Sequence, residues 1–194
     1  MKKILVFALI FVIVIAVGCG NEKSSEQSAP NKTKIEQPVE ESEKILDLGI
    51  TIEEFESAFN RIAVERNVSQ LALNDLQSFD SGKKFVQQYP AGLYLFGVVD
   101  KKTGFLKEVT VGKEFILNES KRQSEVDVIG VTFLVAVAAL NPELSADERA
   151  EILNKLSEKP KNSSVVIGNT KYSSLIFDKG KSLSLSIKAK DSKK

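Results

Sequence analysis

The 194-residue chain has no histidine and no tryptophan, and only one cysteine and one methionine. Without histidine, a Ser-His-Asp triad and a histidine-ligated zinc site are excluded. A lone cysteine excludes an intrachain disulfide. Charge of one sign is also missing. The 27 Lys and Arg stand against 26 Asp and Glu, a formal net of +1, which provides no electrostatic footprint for nucleic acid. Neither a G-x-S-x-G nucleophile turn nor the D-x-D-x-D-G spacing of a calcium loop occurs. The sequence implies no metal site and no cofactor, and it supplies no catalytic motif. Carboxylate-only catalysis stays open, with nothing in the sequence to support it.

The first nineteen residues are patterned. Met1-Lys2-Lys3 is basic, residues 4–17 contain no polar side chain, and Gly18-Cys19 closes the run. That apolar stretch has the length of a signal-peptide core and is shorter than the roughly 20 residues of a spanning helix. Ala16-Val17-Gly18-Cys19 resembles the lipobox of bacterial lipoprotein precursors, with alanine where leucine is commonest. The resemblance covers residues 1–19 only. It implies cleavage between Gly18 and Cys19, a diacylglyceryl thioether on Cys19, and a protein held at the cell membrane on its extracytoplasmic side. Two acyl chains hold a protein stably where one holds it marginally. The competing readings are an uncleaved signal anchor and an ordinary signal peptide with a chance cysteine. With Cys19 acylated the mature chain has no thiol, and loss of Lys2 and Lys3 leaves 25 basic residues against 26 acidic.

Residues 19–44 follow as a lipidated cysteine and a tether dominated by Ser, Glu, Lys, Gln and Pro, with few apolar residues. Such a segment cannot bury enough apolar area to fold. Its r.m.s. reach would be roughly 25–30 Å.

An α+β domain is expected over 45–190, with amphipathic helices packed on an antiparallel sheet. Thr51 and Glu54 form a capping box, and Ile52, Phe55, Phe59 and Ile62 recur at helical spacing as far as about Asn67. Residues 68–90 carry no clear pattern. Leu93–Val99 and Phe105–Val111 predict a hairpin, with Gly104 closing its turn. Ser124 to Asp127 can cap a helix to Leu140 that is apolar nearly all round, marking a buried central helix too short to cross a bilayer. Ser145 and Glu148 make a second capping box, whose helix is expected to bury Ala150, Leu153 and Leu156 and to stop before Pro160. Ser164–Ile167, Lys171–Phe177 and Leu183–Ala189 read as strands, the last alternating cleanly.

YLFGVVDKKTGFLKEVTV (94–111) and YSSLIFDKGKSLSLSI (172–187) echo one another, each with a tyrosine six residues before an Asp-Lys turn. One arrangement is therefore two tandem helix-plus-sheet halves, 51–112 and 124–190, around the central helix. That layout is similar to β-lactamase inhibitor proteins and small outer-membrane assembly lipoproteins, without a shared motif.

Two further motifs match in letters only. Ser81-Gly82-Lys83-Lys84 and Lys102-Thr103-Gly104 spell S-x-x-K and K-T-G, but lie some twenty residues apart with no S-D-N between them, and the second sits in a turn. Gly180-Lys181-Ser182 ends like a phosphate loop, yet Leu175 stands where the upstream glycine is required. Lysines gather at the hairpin tips and the C-terminus, and Lys101, Lys102, Lys179 and Lys181 make a candidate interaction tip, with Lys107, Lys188, Lys190, Lys193 and Lys194 nearby in sequence. Such a tip could meet anionic lipid or an acidic envelope polymer; the alternative is edge protection of the strands. The expected function is a membrane-anchored, non-catalytic binding or interaction module in the bacterial cell envelope. Its partners would be membrane lipid through Cys19 and an envelope protein or polymer. The alternative is a carboxylate-dependent envelope hydrolase or transferase, which two acidic side chains converging in a cleft would favour.

Overall fold

The computed structural model describes residues 46–74, 76–115, 119–177 and 181–190, with the side chains of 119–121 outside the description. The signal-type segment 1–18, Cys19, the tether to residue 44, and Lys179, Lys193 and Lys194 therefore lie outside the described residues.

The first helix, α1 (Ile52–Glu65), starts where local chemistry says it should. Thr51 Oγ1 accepts from the Glu54 N–H at 3.2 Å, and the Glu54 carboxylate accepts from the Thr51 N–H at 2.9 Å. Its buried face is Phe55, Phe59, Ile62 and Ala63, and burying each large side chain contributes about 1.5–3 kcal/mol. Glu53, Arg61 and Glu65 face water as expected. A four-strand meander follows: β1 (Gln77–Phe79), β2 (Lys84–Gln88), β3 (Leu93–Val99) and β4 (Leu106–Glu114). Helix α2 (Glu119–Leu140) and helix α3 (Ala146–Glu158) come next, then β5 (Ser163–Ile167), β6 (Thr170–Phe177) and β7 (Ser182–Ala189). All seven strands form one antiparallel sheet in the order β1-β2-β3-β4-β7-β6-β5. The α+β class expected from the sequence is the class observed.

The three helices cover one face of the sheet. Helix α2 lies between α1 and α3 and crosses β4 and β7, while α3 lies over β5 and β6. The core fills the space between the layers: Phe55 meets Phe59 and Phe85 at ring distances of 5.7 and 6.3 Å, and Phe133 meets Tyr172 edge-on at 6.5 Å. Strand β7 alternates Leu183, Leu185, Ile187 and Ala189 inward with Ser182, Ser184, Ser186 and Lys188 outward. The echoing hairpins β3–β4 and β6–β7 stand side by side in this sheet, joined through the β4–β7 ladder.

Several expectations need correction. Residues 68–90 hold two strands, β1 and β2, and β4 begins at Leu106 and runs on to Glu114. Helix α2 starts at Glu119, five residues before the expected cap, and has 22 residues. It is not buried on every side: Val128 and Val131 are 43% and 39% exposed, while the charged Glu125 is buried. By length and composition Arg122–Leu140 would be long and apolar enough to cross a membrane, so the expectation that it is too short does not hold; here most of it is buried in the domain. In α3 the buried residues are Ile152 and Leu156, with Leu153 half-buried and Ala150 exposed. The helix is rotated so that the bulkier Ile152 takes the core position.

One ion pair is buried between the layers. The Lys113 ammonium donates to the Ala91 carbonyl in the β2–β3 turn and lies 3.5 Å from the Glu125 carboxylate of α2. Removing one partner of such a pair costs about 3–5 kcal/mol, because the other charge is left buried.

Candidate functional site

Two features stand out on this frame, at opposite ends of the sheet. The first is a cleft of about 750 Å³ between the first half of α2, the second half of α3 and the sheet. Its walls are mostly apolar. Val126, Val131 and Leu134 come from α2, Leu153 from α3, and Ile176 and Leu183 from the sheet. Helical spacing brings Gln123, Asp127, Gly130 and Leu134 to the same side of α2. Gly130 permits a close approach, since a Cβ there would lie 3.3 Å from Leu153 Cδ2. At the mouth, the Arg122 guanidinium lies 5.4 Å from the centre of the Phe115 ring, and Gln123 donates to Asp127 at 2.9 Å. Asp127 is the one carboxylate among the described lining residues. The converging acid pair that would favour a hydrolase is therefore not found among them.

The second feature is the end of the sheet where the β1–β2 and β3–β4 turns meet. The Val99 N–H donates to the Lys83 carbonyl at 2.7 Å, tying the two turns together. The β3–β4 turn closes through Gly104 N–H to Asp100 carbonyl at 2.8 Å, with Gly104 at φ +75°, as its sequence implied. Asp100 organises the tip. Its carboxylate accepts from the Lys102 N–H at 2.7 Å and pairs with the Lys107 ammonium at 2.8 Å. The hydrogen bond from Lys107, reinforced by the Lys102 N–H, holds the Asp100 carboxyl below the usual carboxylate range. Lys83 crowds Lys101 and lowers its pKa from the ordinary lysine value.

The structure does not assemble the tip suggested by the sequence. Lys101 and Lys102 lie at this end, but Lys181 lies at the other, where its carbonyl accepts from the Phe115 N–H at 2.7 Å. Antiparallel pairing of β4 with β7 forces this, since the two hairpin turns precede strands that run in opposite directions. Lys179 is outside the described residues. In place of Lys181 the fold brings Lys83, Lys84, Lys171, Lys188 and Lys190 to the Lys101 end. The Asp80-Ser81-Gly82-Lys83 turn was the available signal for part of this, because it is a hairpin turn rather than the helix start that S-x-x-K chemistry requires. Nothing local in the sequence pointed to the cleft.

Among the described residues no three His, Cys, Asp or Glu side chains come together as a metal cluster. Compared with protein-family models, curated proteins and solved structures, the chain matches none.

Proposed function

We propose that this protein is a lipid-anchored, extracytoplasmic binding protein of the bacterial cell envelope, and that the cleft between α2, α3 and the sheet receives a small molecule with an apolar body. The observation that carries the binding reading is the cleft itself. Its volume of about 750 Å³ falls in the range of ligand sites, roughly 300–1,000 Å³. Apolar walls with a few polar groups at the mouth suit a ligand whose apolar part is buried and whose polar part stays wet. Two-carboxylate acid–base catalysis in the same cleft would need a second acid beside Asp127, and the described lining supplies none. The anchor rests on residues 1–19, where basic start, apolar run, small residues and cysteine fall in order.

The test uses the full chain made in a bacterial host. Metabolic labelling with fatty acid should mark the parent and not Cys19→Ala; a labelled Cys19→Ala protein would refute the anchor. Val131 lines the cleft and is 39% exposed, so Val131→Trp should occupy the space at little cost in stability. Binding of an apolar fluorophore such as an anilinonaphthalene sulfonate should fall sharply in Val131→Trp. A variant that binds the fluorophore like the parent would refute the cleft as the ligand site.

A further inference from the structure

We infer that β5 is a pairing edge, and that a second copy of this chain adds its own β5 there, antiparallel, with the two-fold axis passing beside Val165. The two sheets then run on as one.

The two edges of the sheet differ. Strand β1 has three residues, and so short an edge offers little to another strand. Strand β5 has five, Ser-Ser-Val-Val-Ile. It contains no charged residue and no proline, and its ladder with β6 has no bulge. Charge, proline and bulges are the devices that blunt an edge, and β5 has none of them. Ser164 is exposed, and so are Val166 and Ile167, at 46% and 36%. Among the described residues no strand lies beyond β5.

The backbone phase makes this edge self-complementary. Ile167 and Thr170 flank the two-residue turn Gly168-Asn169 and are therefore a hydrogen-bonded pair. Alternation along the ladder turns the N–H and C=O of Ser163, Val165 and Ile167 toward β6, and those of Ser164 and Val166 outward. A second β5 turned end for end meets all of them. Ser164 pairs with Val166 of the second copy, Val166 pairs with its Ser164, and both pairs are doubly hydrogen-bonded. Val165 then faces Val165 across the axis, on the core side of the sheet. A shift of two residues in register leaves half of these groups unmatched.

The helices fit the same axis. The Ser174 hydroxyl donates to the Leu156 carbonyl at 3.3 Å, and the Thr170 hydroxyl donates to the Asn141 side-chain carbonyl at 3.2 Å. Helix α3 therefore follows β6, with Leu156 over Ser174. One turn back along the helix is about 6 Å and two residues back along the strand about 6.6 Å, which sets Ile152 over Tyr172. Tyr172 is the β6 partner of Val165, so the axis passes beside the middle of α3. Strands lie about 4.8 Å apart and α3 covers both β5 and β6. Its two copies thus come to lie antiparallel at roughly 10 Å, the spacing of packed helices. The flank of α3 turned away from Leu153 carries Glu148, Glu151, Lys155 and Glu158. Glu151 is bridged to Lys155 at 2.6 Å. Reversal about Ile152 brings Glu148 of one copy level with Lys155 of the other, while Glu158, followed by Lys159, lies at the ends of the pair.

The test is a cysteine scan of the full chain made in a bacterial host. Ser164→Cys, Val165→Cys and Ile167→Cys are oxidised mildly with copper phenanthroline in cell extract that retains the membranes, and disulfide dimer is read on a non-reducing gel. The parent, with Cys19 alone, sets the background. Across the axis the two Val165 Cα atoms would be about 4.5 Å apart, within disulfide range. Ser164 and Ile167 would be displaced from their own copies along the strand, beyond the roughly 7 Å limit. Val165→Cys should therefore give several-fold more dimer than the other two. Chance collision gives the reverse order, since Ser164 and Ile167 are more exposed than Val165. Adding Val166→Pro should cut the Val165→Cys dimer several-fold, because it removes an outward N–H, while thermal unfolding of Val166→Pro alone follows the parent. Val166→Lys, which puts ammonium groups on neighbouring strands, should also cut it, and it decides alone if the proline variant fails to fold. No dimer at any position, equal dimer at all three, or more at Ser164 overturns the inference. So does a Val165→Cys dimer that survives Val166→Lys. A dimer in the parent reports a free thiol at Cys19 and counts against the anchor, not against β5.

Discussion

The packing at Gly97 gives a sharp test of the fold. Gly97 in β3 pairs with Phe85 in β2 on the core side of the sheet, and the Phe85 ring lies flat over it. A Cβ on Gly97 would stand 2.1 Å from Phe85 Cε1 and 2.3 Å from Cζ. Optimal carbon–carbon contact is about 3.5–4.0 Å, so the ring would have to retreat by about 1.5 Å. It has nowhere to go: Phe85 is fully buried and the Phe55 ring is 6.3 Å away, centre to centre. Overpacking of this kind costs about 1–3 kcal/mol. Against that, replacing a strand glycine recovers about 0.5–1 kcal/mol of chain entropy. Gly97→Ala should therefore destabilise the protein by roughly 1–2 kcal/mol, out of a total of about 5–15 kcal/mol for a domain.

Gly112 supplies the control. It pairs with Tyr94, and a Cβ there would lie 2.1 Å from Tyr94 Cζ. Tyr94, however, is half-buried on the outer face, so its ring can swing toward water, and Gly112→Ala should cost less than Gly97→Ala. Urea unfolding followed by far-ultraviolet circular dichroism measures both, since tryptophan is absent. A double-mutant cycle completes the argument. Phe85→Ala alone should cost about 3–5 kcal/mol, and in that background Gly97→Ala should become neutral or stabilising, because the methyl enters the vacated space. If Gly97→Ala alone changes stability by less than about 0.3 kcal/mol, or the two substitutions in the cycle simply add, the ring does not cover Gly97 and the β2–β3 register is wrong.

The remaining predictions are more local. Gly104→Val should cost on the order of 1–2 kcal/mol, because a β-branched residue is strained at φ +75° even with open space around it; an unchanged urea midpoint would remove the turn. The Asp100 and Glu148 carboxyls both sit below their ordinary pKa, the first through Lys107 and the second through the Ser145 N–H. Their contribution is therefore present above the unfolded carboxylate range, near pH 4, and lost as pH falls through the lower folded values. Asp100→Asn with Glu148→Gln should widen the gap from the parent at pH 6 relative to pH 2.5, and a gap that grows toward acid would reverse the assignment. Limited proteolysis of the full chain should release a stable fragment starting near Ile45 or Leu46; resistance of residues 20–44 at protease levels that cut an unfolded control would show that the segment is packed.

What could be read from the sequence was whatever is fixed locally. The boxes at Thr51–Glu54 and Ser145–Glu148 place two helix starts because both partners lie within three residues. Gly104 and the alternation of β7 are local in the same sense. Strand β2 was missed because Lys84-Phe85-Val86-Gln87-Gln88 has two apolar residues in sequence yet is held on both edges, by β1 and β3. The Ala150 assignment failed on phase: Ala150, Leu153 and Leu156 and the observed Ile152 and Leu156 are both acceptable helical stripes, and only the layer beneath chooses between them. The lysine tip failed for a longer-range reason. Whether two hairpin turns share an end depends on the pairing of β4 with β7, whose partners are 68 to 80 residues apart in sequence.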